Sequence, residues 1–248
     1  MSAVILALLA GAVIGLALGG LGGGGSVLAV PALIYLLGFT PVAATTASLV
    51  IVTVTSATAL SAHARDGNVR WRAGLLFAAA GIGPAMLGSA LAGQLPAAWL
   101  TVAFALLAGA ASIRMLRPRP TAGPAAPVRP GRAAAAGAGL GAVTGVLGVG
   151  GGFLAVPALV NVLGMRIREA VGTSLLVITV NSVAALAMRA GTADGLNWAL
   201  IGPFAGAAIL GAWDGKRLSA KLSGQTLQRV FALVLLAVAG FMLVDTVA

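Results

Sequence analysis

Residues 20–38 read GLGGGGSVLAVPALIYLLG, and residues 146–164 read VLGVGGGFLAVPALVNVLG. The two stretches share the string LAVPAL, and a glycine run precedes that string at the same distance in each. Aligning residues 11–60 with 137–186 without gaps gives 24 identities in 50 positions. A one-residue shift further along aligns Trp71 with Trp198 and Phe104 with Phe231. This repetition indicates a duplicated structural unit.

The composition places the duplicated unit in a membrane. Hydrophobic residues make up 60% of the 248 residues and charged residues 8%, whereas soluble domains carry about 25% charged residues. Most of the apolar runs approach the roughly 20 residues that a helix needs to cross a bilayer. The sequence therefore predicts an all-α polytopic membrane protein. The runs are 3–21, 41–62, 73–92, 97–113, 133–149, 169–188, 198–213 and 230–244.

The chain divides into a first repeat (1–113), a linker (114–132) and a second repeat (133–248). The linker, RMLRPRPTAGPAAPVRPGR, is rich in proline and arginine, which predicts a non-helical segment outside the lipid. Each repeat is expected to contain a glycine-rich helix, a glycine run, a short helix with a central proline and three longer helices. The longer helices are predicted at 41–62, 72–92 and 97–116, and at 168–190, 198–213 and 224–246.

Charge selects between two topologies. If the first helix and the short proline helix form a hairpin, each repeat has three full crossings and the second repeat is inverted. If they form one broken crossing, the repeats are parallel. In the inverted arrangement all basic residues except Arg189 and Arg229 lie in or beside cytoplasmic segments, as the positive-inside rule favours. These segments are 63–72, the linker, 165–168 and 214–223. The net charge of +10 is then a topology signal rather than a nucleic-acid surface.

The glycine runs are the first candidate binding site. Glycine in mid-membrane permits non-helical backbone, which survives there when it is buried in protein or lines a cavity. The following helices are expected to begin near Ser26 and Phe153, where unpaired N–H groups and the positive end of the helix dipole favour an anion. Close packing around glycine is the alternative. The residues concerned are Gly24, Gly25, Ser26, Gly150, Gly151, Gly152 and Phe153.

A polar helix face is the second candidate. Ser48 and Thr55 lie seven residues apart and share one face of a helix. Their counterparts in the second repeat are Ser174 and Asn181, and Thr45, Thr46 and Thr173 extend or flank the two faces. We expect these side chains to line the substrate site. The alternative is that the hydroxyl groups bond to their own helix.

Other features favour simpler interpretations. Gly11, Gly15 and Gly19 match Gly137, Gly141 and Gly145 at four-residue spacing, a pattern that predicts close helix packing. His63, beside Arg65 and Asp66, is expected at a loop edge. The sequence holds no cysteine and no recognised hydrolase or nucleotide-binding motif. We therefore expect neither enzyme activity nor a cofactor or metal ion.

These residues resemble a known family. GGGGSVLAVPALIYLLG and GVGGGFLAVPALVNVLG, together with ATTASLVIV, AVGTSLLVI, DGNVRW and DGLNW, are similar to the doubled motif of the TauE/SafE membrane transport proteins. The resemblance spans nearly the whole chain apart from the linker. It implies an inner-membrane anion transporter, and the family is associated with export of sulfite and organosulfur anions. The sequence MRIRE at 165–169 departs from the uncharged FTPVA of the first repeat.

The residue pattern and the family resemblance together indicate a transporter that exports a small sulfur-containing oxyanion through a site between inverted repeats. The expected partners are that anion and the lipid bilayer, with no nucleic acid, and a homo-oligomer is left open. A proton-coupled importer of an organosulfur compound or another anion is the nearest alternative. A non-transporting membrane scaffold is the other.

The predicted topology places both termini outside the cytoplasm. A reporter that is active outside the cytoplasm, fused after Ala248, should therefore be active. A reporter that requires the cytoplasm should be silent at the same position. The reverse pair of results would contradict the inverted arrangement.

Overall fold

The computed structural model describes residues 2–92, 97–116, 129–147, 152–188 and 196–247. Throughout these ranges the regular structure is helical. The helices are α1 (Ser2–Leu21), α2 (Gly24–Pro31), α3 (Pro41–Arg65), α4 (Trp71–Ala92), α5 (Ala97–Leu116), α6 (Pro130–Leu147), α7 (Gly152–Asn161), α8 (Ile167–Met188), α9 (Trp198–Lys221) and α10 (Gly224–Val247). Among the described helices, α1, α3 and α8 contain segments long and apolar enough to cross a membrane.

Local sequence sets the helix ends. After α1 the chain turns at Gly22, whose φ of 73° is in the left-handed region that favours glycine. Pro31 ends α2, and a π-helical turn over Ala32–Leu36 follows. Helix α3 starts where the Thr40 side chain accepts a hydrogen bond from the Ala43 backbone N–H, with Pro41 in the first turn.

Glycine contacts join α1 to α9. A Cβ atom added at Gly11, Gly15 or Gly19 would lie closer than 3.0 Å to backbone atoms of the partner helix. The partner residues advance together with the glycines, so α1 and α9 run parallel. In order, they are Phe204, Ala208 and Ala212.

The same arrangement joins α6 to α4. Gly137 lies against the backbone of Phe77, and Gly141 lies against the backbone of Gly81. Gly137 is the repeat counterpart of Gly11, so the first helix of each repeat packs on the fourth helix of the other. The predicted packing role is confirmed at these five glycines, because no side chain fits between the backbones.

Equivalent helices of the two repeats also contact each other. Ser56 in the middle of α3 bonds to Thr179 in α8, and the backbone of Asn68, just after α3, lies against Gly172 near the start of α8. Helices α3 and α8 therefore lie antiparallel. Gln228, near the start of α10, donates to the carbonyl oxygen of Met115 at the end of α5. These contacts place the equivalent helices of the two repeats against each other.

Some predicted boundaries were wrong. Helix α9 continues to Lys221 instead of ending at residue 213, because the charged residues 214–221 extend the helix beyond its apolar part. Helix α5 spans Ala97–Leu116, as predicted for that helix, and α6 begins at Pro130. Both ends of the linker predicted at 114–132 are therefore helical. Residues 117–128 of the linker lie outside the described residues.

The glycine packing can be tested within one helix. Gly141→Ala would place a Cβ against the Gly81 backbone, whereas Gly139→Ala meets nothing within 4 Å. We expect Gly141→Ala to destabilise the protein by about 1–3 kcal/mol because the core is overpacked. Gly139→Ala should stabilise it by about 0.5–1 kcal/mol through helix propensity. Thermal unfolding of the purified protein measures both, and equal effects would contradict the packing.

Candidate functional site at the crossing of α3 and α8

The centre of the candidate site is a hydroxyl contact between the repeats. Ser56 Oγ lies 2.9 Å from Thr179 Oγ1, at the middle of both α3 and α8. Thr179 Oγ1 donates to the Leu175 carbonyl oxygen at 2.8 Å. Ser56 Oγ likewise lies 3.2 Å from the Thr53 carbonyl oxygen. Each hydroxyl has one proton to donate, so either of the two can be the donor across the crossing.

Three polar atoms in this part of α3 and α8 are buried and have no hydrogen-bond partner. They are Thr53 Oγ1, Thr55 Oγ1 and Asn181 Oδ1. Thr55 is 1% exposed, so bulk solvent does not reach its hydroxyl. Leaving a buried polar group unpaired costs about 1–3 kcal/mol, and such groups in a native protein call for an explanation.

Most of the other predicted hydroxyl groups bond to their own helix. Thr45, Thr46, Ser48 and Ser174 each donate to a backbone carbonyl three or four residues earlier, at 2.7–3.2 Å. Thr173 accepts a hydrogen bond from the Arg70 backbone N–H at 3.0 Å, which anchors the α3–α4 loop. These hydroxyl groups therefore have structural partners, and Thr55 and Asn181 are the predicted polar residues with an unpaired atom.

The first glycine run lies against the second repeat. A Cβ at Gly22 would be 2.5 Å from Ser174 Oγ and 3.2 Å from Val156 Cγ2, so the run packs on α7 and α8. Helix α2 begins at Gly24 rather than near Ser26, because the glycines adopt helical backbone earlier than predicted. Gly24, Gly25 and Ser26 thus form its first turn.

The second glycine run is described at its end. Helix α7 begins at Gly152, one residue before the predicted start at Phe153, and Gly152 is buried. Gly150 and Gly151 lie outside the described residues, as do the side chains of Ser26 and Phe153. The role of the second run in binding an anion therefore stays a prediction.

A charged cluster joins the repeats at one end of the crossing. Glu169 is 4% exposed and accepts hydrogen bonds from Arg70 of the first repeat, at 2.9 Å, and from Arg166. This interaction raises the pKa of Arg166, which lies before α8. Lys216 and Asp66 form a second ion pair at 2.7 Å. Both ion pairs connect the α3–α4 region to the second repeat.

His63 is buried instead of lying at a loop edge. Its Nε2 atom is 3.0 Å from the Gly19 carbonyl oxygen, and its Nδ1 atom is buried without a partner. The close approach of α1, which the glycines allow, covers the end of α3 and buries the ring. His63 therefore ties α3 to the end of α1, just before the first glycine run.

Sequence reasoning missed Thr53, Ser56 and Thr179, although a signal was available. Thr53 matches Thr179 and Ser56 matches Ser182 at the 126-residue offset, so both hydroxyl pairs are identical in the two repeats. Glu169 belongs to the sequence MRIRE, which departs from the repeat, but the sequence alone does not indicate its ion pairs. Across the described ranges, no group of three or more His, Cys, Asp or Glu side chains could hold a metal ion.

A helical bundle with apolar spans and unpaired polar atoms at its centre is built like a membrane transport protein. The family model described as "Sulfite exporter TauE/SafE" matches residues 7–242, and the chain belongs to this family of membrane transporters.

Two relatives from Xylella fastidiosa carry the name "Probable membrane transporter protein". The one from strain Temecula1 is 37% identical over 244 residues, which cover 95% of this chain and 93% of the relative. The one from strain 9a5c is 36% identical over 245 residues, with the same coverage. No solved structure matches the chain.

The unpaired Thr55 hydroxyl predicts an unusual stability effect. Thr55→Val keeps the side-chain shape and removes a buried group with no partner, so we expect it to stabilise the protein by about 1 kcal/mol. Thr46→Val is the matched control, because Thr46 is fully buried but donates to Val42, and it should give no gain. Thermal unfolding compares the two. A loss of stability in Thr55→Val would mean that the hydroxyl has a partner.

Proposed function

We propose that this chain exports a small sulfur-containing oxyanion, sulfite or an organosulfonate, across the inner membrane through a site between two inverted repeats. In this proposal residues 1–113 and 133–248 are the repeats and 114–132 is a cytoplasmic linker. Membership of the transporter family supports the general activity. The unpaired polar atoms at the crossing of α3 and α8 support the position of the site.

Helix directions support inversion. Equivalent helices related by a two-fold axis along the membrane normal run parallel, whereas an axis in the membrane plane makes them antiparallel. The contacts of α3 with α8 and of α5 with α10 fit the second case. Trp71 and Trp198, which begin α4 and α9, are both exposed and would then lie at opposite membrane interfaces, where tryptophan is enriched.

The distribution of charge supports the orientation. The ion pairs of Glu169 and Asp66 bring together one end of α3, α4, α8 and α9. Arg168 donates to the carbonyl oxygens of Ala220 and Leu222 at the same end. The predicted cytoplasmic segments 63–72, 165–168 and 214–223 therefore meet at one surface, which is the basic surface that the positive-inside rule assigns to the cytoplasm.

Thr55 and Asn181 are the observation that carries the binding proposal. They are repeat counterparts, they lie near the middle of α3 and α8, and each has a buried atom without a partner. A bound oxyanion would accept a hydrogen bond from the Thr55 hydroxyl. Rotation about the last side-chain torsion of Asn181 would present its amide N–H groups to the same ligand.

The first glycine run would supply further donors. The first-turn N–H groups of α2 point away from the helix, and an anion at such an end gains about 0.3–2 kcal/mol. Gly22 lies against Ser174, so the run is close to the polar face of the second repeat. Neutral donors of this kind bind an anion weakly enough to release it, which transport requires.

Electrostatics favour efflux. An inside-negative potential contributes about 2.3 kcal/mol per charge per 100 mV, so an anion leaves the cell without a coupled ion. Segments 42–62 and 170–188 of α3 and α8 hold no Asp, Glu, Lys or Arg. These two segments thus offer no carboxylate of the kind that proton-coupled uptake uses.

Flux in liposomes tests the proposal. Purified protein should conduct sulfite or a small alkanesulfonate, and an inside-negative potential should accelerate the exit of the anion. Thr55→Val should reduce flux at least about tenfold, because one charge-assisted hydrogen bond contributes about 1.5–3 kcal/mol. Thr46→Val should retain flux.

The alternative outcomes are distinct. If the flux of sulfur oxyanions is independent of voltage and depends on a proton gradient, the result would favour proton-coupled import over efflux. Absence of flux for every oxyanion tested would favour the scaffold. Full flux in Thr55→Val would remove the proposed site.

A further inference from the structure

The repeat predicts a second hydrogen bond that is equivalent to the one between Ser56 and Thr179. Thr53 is the counterpart of Thr179, and Ser182 is the counterpart of Ser56. A two-fold relation between the repeats would therefore convert the Ser56–Thr179 bond into a bond between Ser182 and Thr53. All four residues are Ser or Thr, so the chain has the groups needed for both bonds.

The structure makes one of these bonds and leaves the other open. Ser56 and Thr179 are 2.9 Å apart, whereas Thr53 Oγ1 is buried with no partner. Ser182 is buried as well, with 7% exposure. The two repeats are therefore not equivalent at the crossing, although their sequences are identical at these four positions.

A second asymmetry lies at the end of α8 where Glu169 meets Arg70 and Arg166. Glu169 ties α8 to Arg70 there, while the repeat counterpart of Glu169 is Ala43, which cannot form the equivalent ion pair. The observed arrangement is thus held together at the end that the topology assigns to the cytoplasm. Both asymmetries belong to one conformation. In a second conformation each repeat would adopt the arrangement that the other repeat has here.

We infer that Ser56, Thr179, Thr53 and Ser182 form a two-position contact that sets which side of the membrane the site faces. The Ser56–Thr179 bond belongs to the arrangement closed toward the cytoplasm. The Thr53–Ser182 bond replaces it when the repeats exchange conformations and the site opens to the cytoplasm. This inference rests on the proposed transport function, and the four residues position Thr55 and Asn181 rather than bind the anion.

The energetics suit this role. Each arrangement has one hydroxyl bond made and one pair open, so the hydroxyl groups contribute nearly equally to both. Both conformations can then be populated, which a cycle through them requires. Removing one hydroxyl should unbalance the two conformations by about 2- to 10-fold, the effect of a single hydrogen bond.

Side-specific labelling tests the inference. The chain has no cysteine, so Thr55→Cys supplies a single reporter for a membrane-impermeant thiol reagent. Labelling rates in right-side-out and inside-out vesicles give the ratio of outward to cytoplasmic access. Ser56→Ala should shift this ratio toward the cytoplasm by about 2- to 10-fold. Thr53→Val and Ser182→Ala should shift it in the opposite direction.

Controls separate a positional role from general damage. Ser61→Ala changes a hydroxyl of the same helix that is exposed and donates to Thr58, and it should leave the ratio unchanged. Ser56→Thr keeps a hydroxyl and should keep the ratio near that of the unmodified protein. Shifts of Ser56→Ala and Thr53→Val in the same direction, or no shift in either, would overturn the inference.

Flux separates this inference from the proposed function. Flux is measured in vesicles of the same kind that contain chains without the reporter cysteine. Normal oxyanion flux with no opposed shifts would reject the two-position contact and leave the transporter in place. Opposed shifts without oxyanion flux would support the contact and reject the proposed substrate class.

Discussion

The close approach of α1 to α9 and of α6 to α4 is the constraint on which the bundle depends. Helix backbones touch at Gly11, Gly15 and Gly19 in one pair and at Gly137 and Gly141 in the other. In lipid, where apolar burial does not drive helices together, such backbone packing supplies much of the association. Because each first helix packs on the opposite repeat, the two repeats form one interlocked body.

The repeat and its glycine spacing could be predicted from the sequence because they depend on local pattern. The predicted polar face included Thr55 and Asn181, since a seven-residue spacing places side chains on one face of any helix. The sequence could not separate these two from Ser48 and Ser174, which bond to their own helix. That distinction depends on where a neighbouring helix lies, and residue spacing does not contain this information. The burial of His63 was missed for the same reason, because α1 covers it.

Charge is separated from the candidate site along α3 and α8. Glu169, Arg70 and Arg166 meet at one end, while the crossing contains hydroxyl and amide groups. A carboxylate with two arginine partners tolerates burial better than an isolated one. A neutral crossing avoids the larger cost of burying an unpaired charge. The charged end therefore joins the repeats through ion pairs, whereas the crossing joins them through neutral groups.

The packing of each first helix, α1 or α6, on the fourth helix of the other repeat also has an evolutionary consequence. A protein with a single repeat would have one glycine-rich first helix and one fourth helix. In the present chain these two helices of the same repeat do not form the glycine contact with each other, because each packs on the other repeat. Two identical copies could satisfy both contacts at once, in the same way that α1 with α9 and α6 with α4 do here, and would form an isologous dimer. A duplication that joined two such copies in one chain would keep both contacts. Gly11 and Gly15 match Gly137 and Gly141, so both repeats hold the glycines that this interface requires.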